Sequence, residues 1–270
     1  MNLLGSKLKH HLNVYRHFLS FAIKYMVEYR LSLLIRSLHN ITYVSMFFIT
    51  TLVIYTHTES LGGWNIDQAL ILFSLTNFSF SIQSFIFMRG IEEFMREKVK
   101  NGTLDFDLLK PVNTQFMALL RTPWVDSILL GIIMLSFFIH QLIKIWAQIS
   151  LLNLGLFIIS YILCSLIWYF ILSSYATLAF YVTRAQQVMY LIEKASDFSQ
   201  YPTHIFPKSV QWIFFSIVPI ALFAYLPASI LLGNNSLLMW KIIGALLPIS
   251  FIVNKLAWRE GLKRYSSASS

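Results

Sequence analysis

Residues 151–182 read LLNLGLFIISYILCSLIWYFILSSYATLAFYV, a run without one charged side chain. As a helix at about 1.5 Å per residue it is roughly 48 Å long, against a bilayer core of about 30 Å. A soluble domain has little means of covering a segment apolar on every face. The run therefore reads as a membrane-spanning helix that must tilt, protrude or break.

Working outward, similar stretches lie at 34–56, with Met46-Phe47-Phe48-Ile49 at its centre, and at 67–88 and 119–142. Two more lie at 210–232, with Pro219 and Pro227 inside it, and at 237–257. With the run that starts near 149, six spans follow. Composition agrees: 57% of residues are hydrophobic and 12% charged, against about 45–50% and 25% in soluble domains. The expected fold class is all-α, a polytopic membrane protein of six transmembrane helices forming one domain over 1–270. A disordered chain, a disulfide scaffold and a collagen-like repeat are excluded. Cys164 stands alone in an apolar run, so it has no intramolecular disulfide partner and reads as a buried, inert thiol.

Ahead of the first span, Leu8, Leu12, Tyr15, Leu19, Ala22, Ile23, Met26 and Tyr29 fall on one helical stripe. Lys9, Asn13, Arg16, Ser20 and Lys24 take the opposite face. Residues 8–30 are thus expected to form an amphipathic interfacial helix in the headgroup region. About thirty residues precede the first apolar run and no small-residue cleavage site follows it, so no cleavable signal peptide is expected.

The basic residues orient the chain. With the N-terminus in the cytoplasm, the inside groups are Lys7, Lys9, Arg16, Lys24, Arg30 and Arg36, then Arg89, Arg96, Lys98, Lys100, Lys110 and Arg121. Arg184, Lys194 and Lys208, then Lys255, Arg259, Lys263 and Arg264, complete them. Only Lys144 and Lys241 of the 21 basic residues fall outside. This asymmetry predicts a multi-pass cell-membrane protein with both termini cytoplasmic. It also accounts for the net charge of +9 without a nucleic-acid partner.

The stretch 183–209 admits two readings. Residues 185–201 mix Val188, Met189, Leu191, Ile192 and Phe198 with Glu193, Lys194 and Asp197. They form either a cytoplasmic surface helix, or a polar-lined fifth span that leaves 205–232 as a re-entrant pair broken at Pro219. Hydropathy favours the first.

Recognisable chemistry is absent from the motifs. There is no G-x-x-x-x-G-K-[ST] loop to hold a nucleotide, and no H-E-x-x-H, G-x-S-x-G or C-x-x-C. No catalytic, cofactor-binding or metal-ligating residue is expected. His10, His11 and His17 lack a third donor and read as interfacial, while His39 and His140 lie near span ends. Asp126 is the one acid placed near a helix interior, just after Arg121, Pro123 and Trp124. Arg121 and Asp126 are a poor helical pair, so each is expected to meet another helix. Trp124 and Asp126 are candidates for a translocation path, or for an entrance-level ion pair. Arg36 is expected to snorkel to the inner headgroups.

The segment after the second span, 89–112, carries the most information. Ile91, Phe94, Met95, Lys98 and Val99 are helically spaced, Asn101-Gly102 breaks the helix, and Thr103 or Asp105 can cap a second short one that Pro111 ends. Leu104, Leu108 and Leu109 give that second turn an apolar face, with Asp105 and Asp107 pointing away. A charged, capped two-helix elbow suits docking to a soluble partner.

Here Asn101-Gly102-Thr103-Leu104-Asp105-Phe106-Asp107-Leu108-Leu109-Lys110-Pro111-Val112-Asn113 resembles the G-x-L-D-x-x-L-x-x-P-x-[ND] signature of six-span bacterial ABC-transporter permeases of the exporter class. Glu28-Tyr29-Arg30, Tyr201-Pro202, Pro219, Tyr225-Leu226-Pro227-Ala228 and Gly261-Leu262-Lys263-Arg264-Tyr265-Ser266-Ser267 are similar to features of the same type-2 permeases. Tyr181-Val182-Thr183 departs from the Phe-Trp that relatives place there. The resemblance implies a subunit that pairs with a second permease, as homodimer or heterodimer, in membrane lipid. It implies separate cytoplasmic ABC ATPases that hold ATP and Mg and touch Glu92, Glu93, Arg96, Gly102, Leu104, Asp105, Leu108 and Leu109. An ion- or proton-coupled carrier would instead want several buried carboxylates near mid-membrane, and an integral membrane enzyme clustered His, Asp or Ser at one depth.

Overall fold

The computed structural model describes residues 2–216, 219–234 and 236–266, with side chains from residue 9 to 215 and in the two later stretches. Lys7 of the expected inside basic group, Leu8 of the N-terminal stripe and Ser267 of the C-terminal motif lie outside the described side chains.

Among the described residues the chain forms eleven helices. α1 (Asn2–Glu28) is separated from α2 (Arg30–His57) by a break at Tyr29, whose φ −100° and ψ 43° are not helical. α3 (Ile66–Lys98) starts at a capping box in which Asn65 and Gln68 exchange side-chain and backbone bonds. Then come α4 (Asp105–Leu108), α5 (Thr114–Leu120), α6 (Ser127–Lys144) and α7 (Leu151–Phe180). α8 (Gln186–Ser196), α9 (Lys208–Ser216), α10 (Tyr225–Leu231) and α11 (Leu237–Arg264) complete the fold.

Five of these, α2, α3, α6, α7 and α11, are long and apolar enough to cross a membrane. Their ends are marked by charge. α6 runs about 27 Å from the turn after Asp126 to Lys144, which pairs with Asp67 of α3. On α3, Asp67 and Arg89 stand roughly 33 Å apart along the axis. Both lengths match a hydrocarbon core of about 30 Å, so Lys144–Asp67 marks the far boundary and Asp126, Arg89 and Arg36 the boundary at the elbow end. The third span consequently starts at Ser127, not at 119. Thr122-Pro123 interrupts the chain, because proline disfavours helix in the residue before it, and 114–120 is a helix of its own.

α3 is the central post. It is largely buried, whereas α2 and α11 are exposed along most of their length. Its inward polar residues pin neighbours, as polar groups do between membrane helices. Thr76 Oγ1 donates to the Ser199 carbonyl at 3.1 Å, Asn77 Nδ2 to Gln200 Oε1 at 3.2 Å, and Ser127 Oγ to the Ser81 carbonyl at 3.0 Å. Phe138 and Phe157 of α6 and α7 stack at 5.7 Å. Phe94, Phe180 and Trp258 close the elbow end of the bundle.

The fifth span differs from the expectation that hydropathy favoured. Residues 210–232 are not one helix: α9 ends at Ser216, Pro219 is non-helical, and α10 is buried throughout against α7 and α3. The chain crosses earlier. Glu193 of α8 faces Glu92 near the elbow end, Ser199 and Gln200 reach the middle of α3, and His204 and Ile205 pack beside Gly62 at the far end. Segment 185–205 is therefore the polar-lined crossing, and 208–231 is a re-entrant pair at the far end. Hydropathy misreads both: polar groups satisfied against α3 can lie inside, and apolar residues can pack inside without crossing.

Candidate functional site

The elbow is a continuation of α3. Its first limb is not a separate helix: α3 runs unbroken to Lys98, with π-helical turns at Ser84–Met88 and Phe94–Lys98. The chain reverses at Gly102, whose φ of +69° suits a residue without Cβ. α4 follows, and Asn113 caps α5 by accepting from the Phe116 amide. Gly90 lets α5 approach, since a Cβ there would overlap the Leu119 backbone.

What holds the elbow closed is an ion pair across the break. Lys98 Nζ lies 2.9 Å from Asp107 Oδ2 and 3.2 Å from the Ala118 carbonyl. Both side chains are sequestered, at 6% and 1% exposure. Lys110 and Arg121 flank the other carboxylate oxygen at 3.6 and 3.5 Å. Asp107 thus points inward, opposite to the expected orientation. Leu104 is fully buried in the core, so it cannot serve as an exposed anchor. Both changes have one cause: Asp107 must turn in to neutralise Lys98, which rotates α4 and brings Phe106 outward. The exposed apolar face is Phe106, Leu108 and Leu109, of which Leu109 is 82% exposed. Among the other expected contact residues, Arg96 is exposed and pairs with Glu97, Glu93 is half-buried, and Asp105 sits beside Tyr265. Glu92 turns away from this face and meets Glu193.

The elbow is wired to the spans. Gln115 Nε2 of α5 donates to Ser173 Oγ of α7 at 2.8 Å and Asn254 Oδ1 of α11 at 3.0 Å. Trp258 Nε1 donates to the same Ser173 hydroxyl at 2.9 Å. α5 is thus held to α7 and α11 by these bonds, and α4 to α3 by the Lys98–Asp107 pair.

Beside α3 lies a cavity of about 460 Å³, bounded by α2, α3, the start of α6 and α8. Asp126, Trp124, Glu92, Glu193 and Asp197 line it. Tyr43 donates to Asp197 Oδ2 at 2.6 Å and Lys194 lies 3.7 Å from it. Trp124 and Asp126 thus line one cavity. Burial lifts the Asp126 carboxyl above the usual carboxylate range, while Arg36 and Arg89 pull it back. Arg121 meets Asp107 instead, so each member of the poor helical pair does find a different element. From sequence Glu193 and Asp197 are only charges in a segment that reads as a surface helix or a polar-lined span, and its packing on α3 is what brings them to the cavity.

A family model described as "ABC-2 family transporter protein" matches residues 41–269. No curated protein and no solved structure matches. The match runs from α2 through the elbow, the re-entrant pair and α11, so that the chain belongs to the ABC-2 transporter family and is a multi-pass membrane permease of the ABC type.

Proposed function

We infer that the chain is the permease subunit of an ATP-driven exporter, working with a second permease and with separate cytoplasmic ATPases. Both termini and the elbow lie in the cytoplasm on this reading, which the distribution of basic residues supports. ATP and Mg stay on the ATPase, and this chain contributes no catalytic residue. The observation that carries the proposal is the elbow: a clamped turn that presents Phe106, Leu108 and Leu109 outward while Gln115 ties it to α7 and α11. Apolar anchors in a partner groove supply affinity, and the charges at Arg96 and Glu97 form the rim. When the ATPases close, the elbow moves, and α3 moves with it. Transport work then comes from whatever the cavity contacts differ by between the two states.

The test is affinity purification from the native host in mild detergent, followed by mass spectrometry and an ATPase assay. A soluble ATPase that copurifies, with hydrolysis that rises on reconstitution, supports the reading. A chain that purifies alone and transports on an ion gradient without ATP sinks it. That second outcome has its own motive, since the cavity holds four carboxylates, Glu92, Asp126, Glu193 and Asp197, although they gather toward the elbow end and not at mid-membrane where a coupled carrier wants them.

A further inference from the structure

A second cavity, of about 230 Å³, opens on the other side of Asp126. It sits at the break between α1 and α2, where both helices meet the linker before α6. Arg36, Arg89 and Arg121 converge on it from three different segments, opposed by the single carboxylate of Asp126. Arg36 and Arg89 are held over the Trp124 ring, with guanidinium carbons 5.9 and 6.0 Å from its centre. Among the described residues neither of them forms an ion pair, and Arg121 reaches Asp107 only at 3.5 Å. Three like charges gathered around one acid leave a surplus of positive charge, which an anion would neutralise.

The rest of the lining is amphipathic. Phe21, Tyr25 and Met26 of α1 and Leu33 of α2 face the same space. Phe21 and Tyr25 are themselves exposed, at 72% and 47%. Depth fixes the surroundings: Asp126 immediately precedes α6 at the elbow-end boundary of the hydrocarbon, where headgroups lie and where tyrosine and tryptophan concentrate. Guanidinium forks match phosphate oxygens in pairs, and tyrosine and apolar side chains suit the glycerol and the upper acyl chains.

We propose that this cavity is a binding site for the phosphate headgroup of an anionic membrane lipid, seated between α1, α2 and the start of α6. The lipid neutralises Arg36, Arg89 and Arg121 and fixes the angle of the interfacial helix against the bundle. The site does not depend on the direction of transport or on the identity of the ATPase.

The test uses the full chain purified in a neutral detergent, with lipid retention followed by native mass spectrometry and thermal unfolding. Phosphatidylglycerol is compared with phosphatidylcholine of the same acyl chains, and with inorganic phosphate alone. Retention of phosphatidylglycerol over phosphatidylcholine by about tenfold or more is expected. Arg36→Gln with Arg89→Gln should abolish that preference, while Arg16→Gln with Lys24→Gln, which removes two exposed charges of α1, should leave it. If the glutamine pair does not fold, Arg36→Lys with Arg89→Lys keeps the charge and removes the fork, and should weaken retention severalfold. Equal retention of the two lipids overturns the proposal, as does unchanged preference in the arginine variants. Stabilisation by inorganic phosphate equal to that by phosphatidylglycerol overturns the assignment to a lipid.

Discussion

Removing the carboxylate of Asp107 should release the elbow. Asp107→Asn keeps the size of the side chain and deletes its charge. It leaves Lys98, 6% exposed, with neutral acceptors alone, the Ala118 carbonyl and the new amide oxygen, and leaves Lys110 and Arg121 crowded on the same spot without a countercharge. Stripping one partner from a buried pair typically costs about 3–5 kcal/mol, because the other charge stays buried without compensation. At about 1.4 kcal/mol per tenfold, local opening of 99–113 should rise by roughly two to three and a half powers of ten. Lys98→Met should cost less, since Lys110 and Arg121 can still hold the Asp107 carboxylate. The double variant Lys98→Met with Asp107→Asn should be closer to wild type than Asp107→Asn alone, because no buried charge remains. Amide hydrogen exchange of the detergent-purified chain, read over 99–113 and compared with α7, measures all four proteins. Wild-type exchange in Asp107→Asn, or strictly additive effects in the double variant, would refute the reasoning.

Leu104→Ala should destabilise the purified chain by about 2–5 kcal/mol, because Leu104 is fully buried. Phe106→Ala with Leu109→Ala should leave its melting unchanged while weakening ATPase copurification, and the reverse pattern would place the docking face elsewhere. Gly90→Ala should lower thermal stability and loosen α5, because the new methyl meets the Leu119 backbone; a wild-type melting curve would count against the close approach. Single cysteines at Ser60 and Ser266, in a Cys164→Ala background, should differ in intact cells, with Ser60 labelled by an impermeant thiol reagent and Ser266 labelled only after lysis. Glu193→Gln should reduce transport with complex yield intact if the cavity is the path, and undiminished transport would remove it from the path.

The elbow shows how buried charge and exposed leucine can be misassigned by periodicity. Leu104, Leu108 and Leu109 lie on a plausible helical face, and Asp105 and Asp107 on another. A four-residue helix does not choose its orientation by its own pattern. It turns to satisfy the most costly group nearby, here the Lys98 ammonium at the end of α3. No spacing rule connects Lys98 with Asp107 across a reversed chain.

By itself the sequence determined the class and the frame. Long uncharged runs have no solution but membrane helices, and Gly102, Pro111 and Pro123 place the breaks through backbone sterics that act within a few residues. Basic asymmetry and the 101–113 signature are also local, and they led to the family. Tertiary structure decided what depends on partners distant in sequence. Segment 185–205 crosses the bundle because Thr76 and Asn77 meet Ser199 and Gln200, and α10 folds back inside because α3 and α7 bury it. Glu193 and the arginine cluster acquire meaning only there, since a charge within an apolar bundle is made tolerable or functional by groups that another helix brings to the same depth.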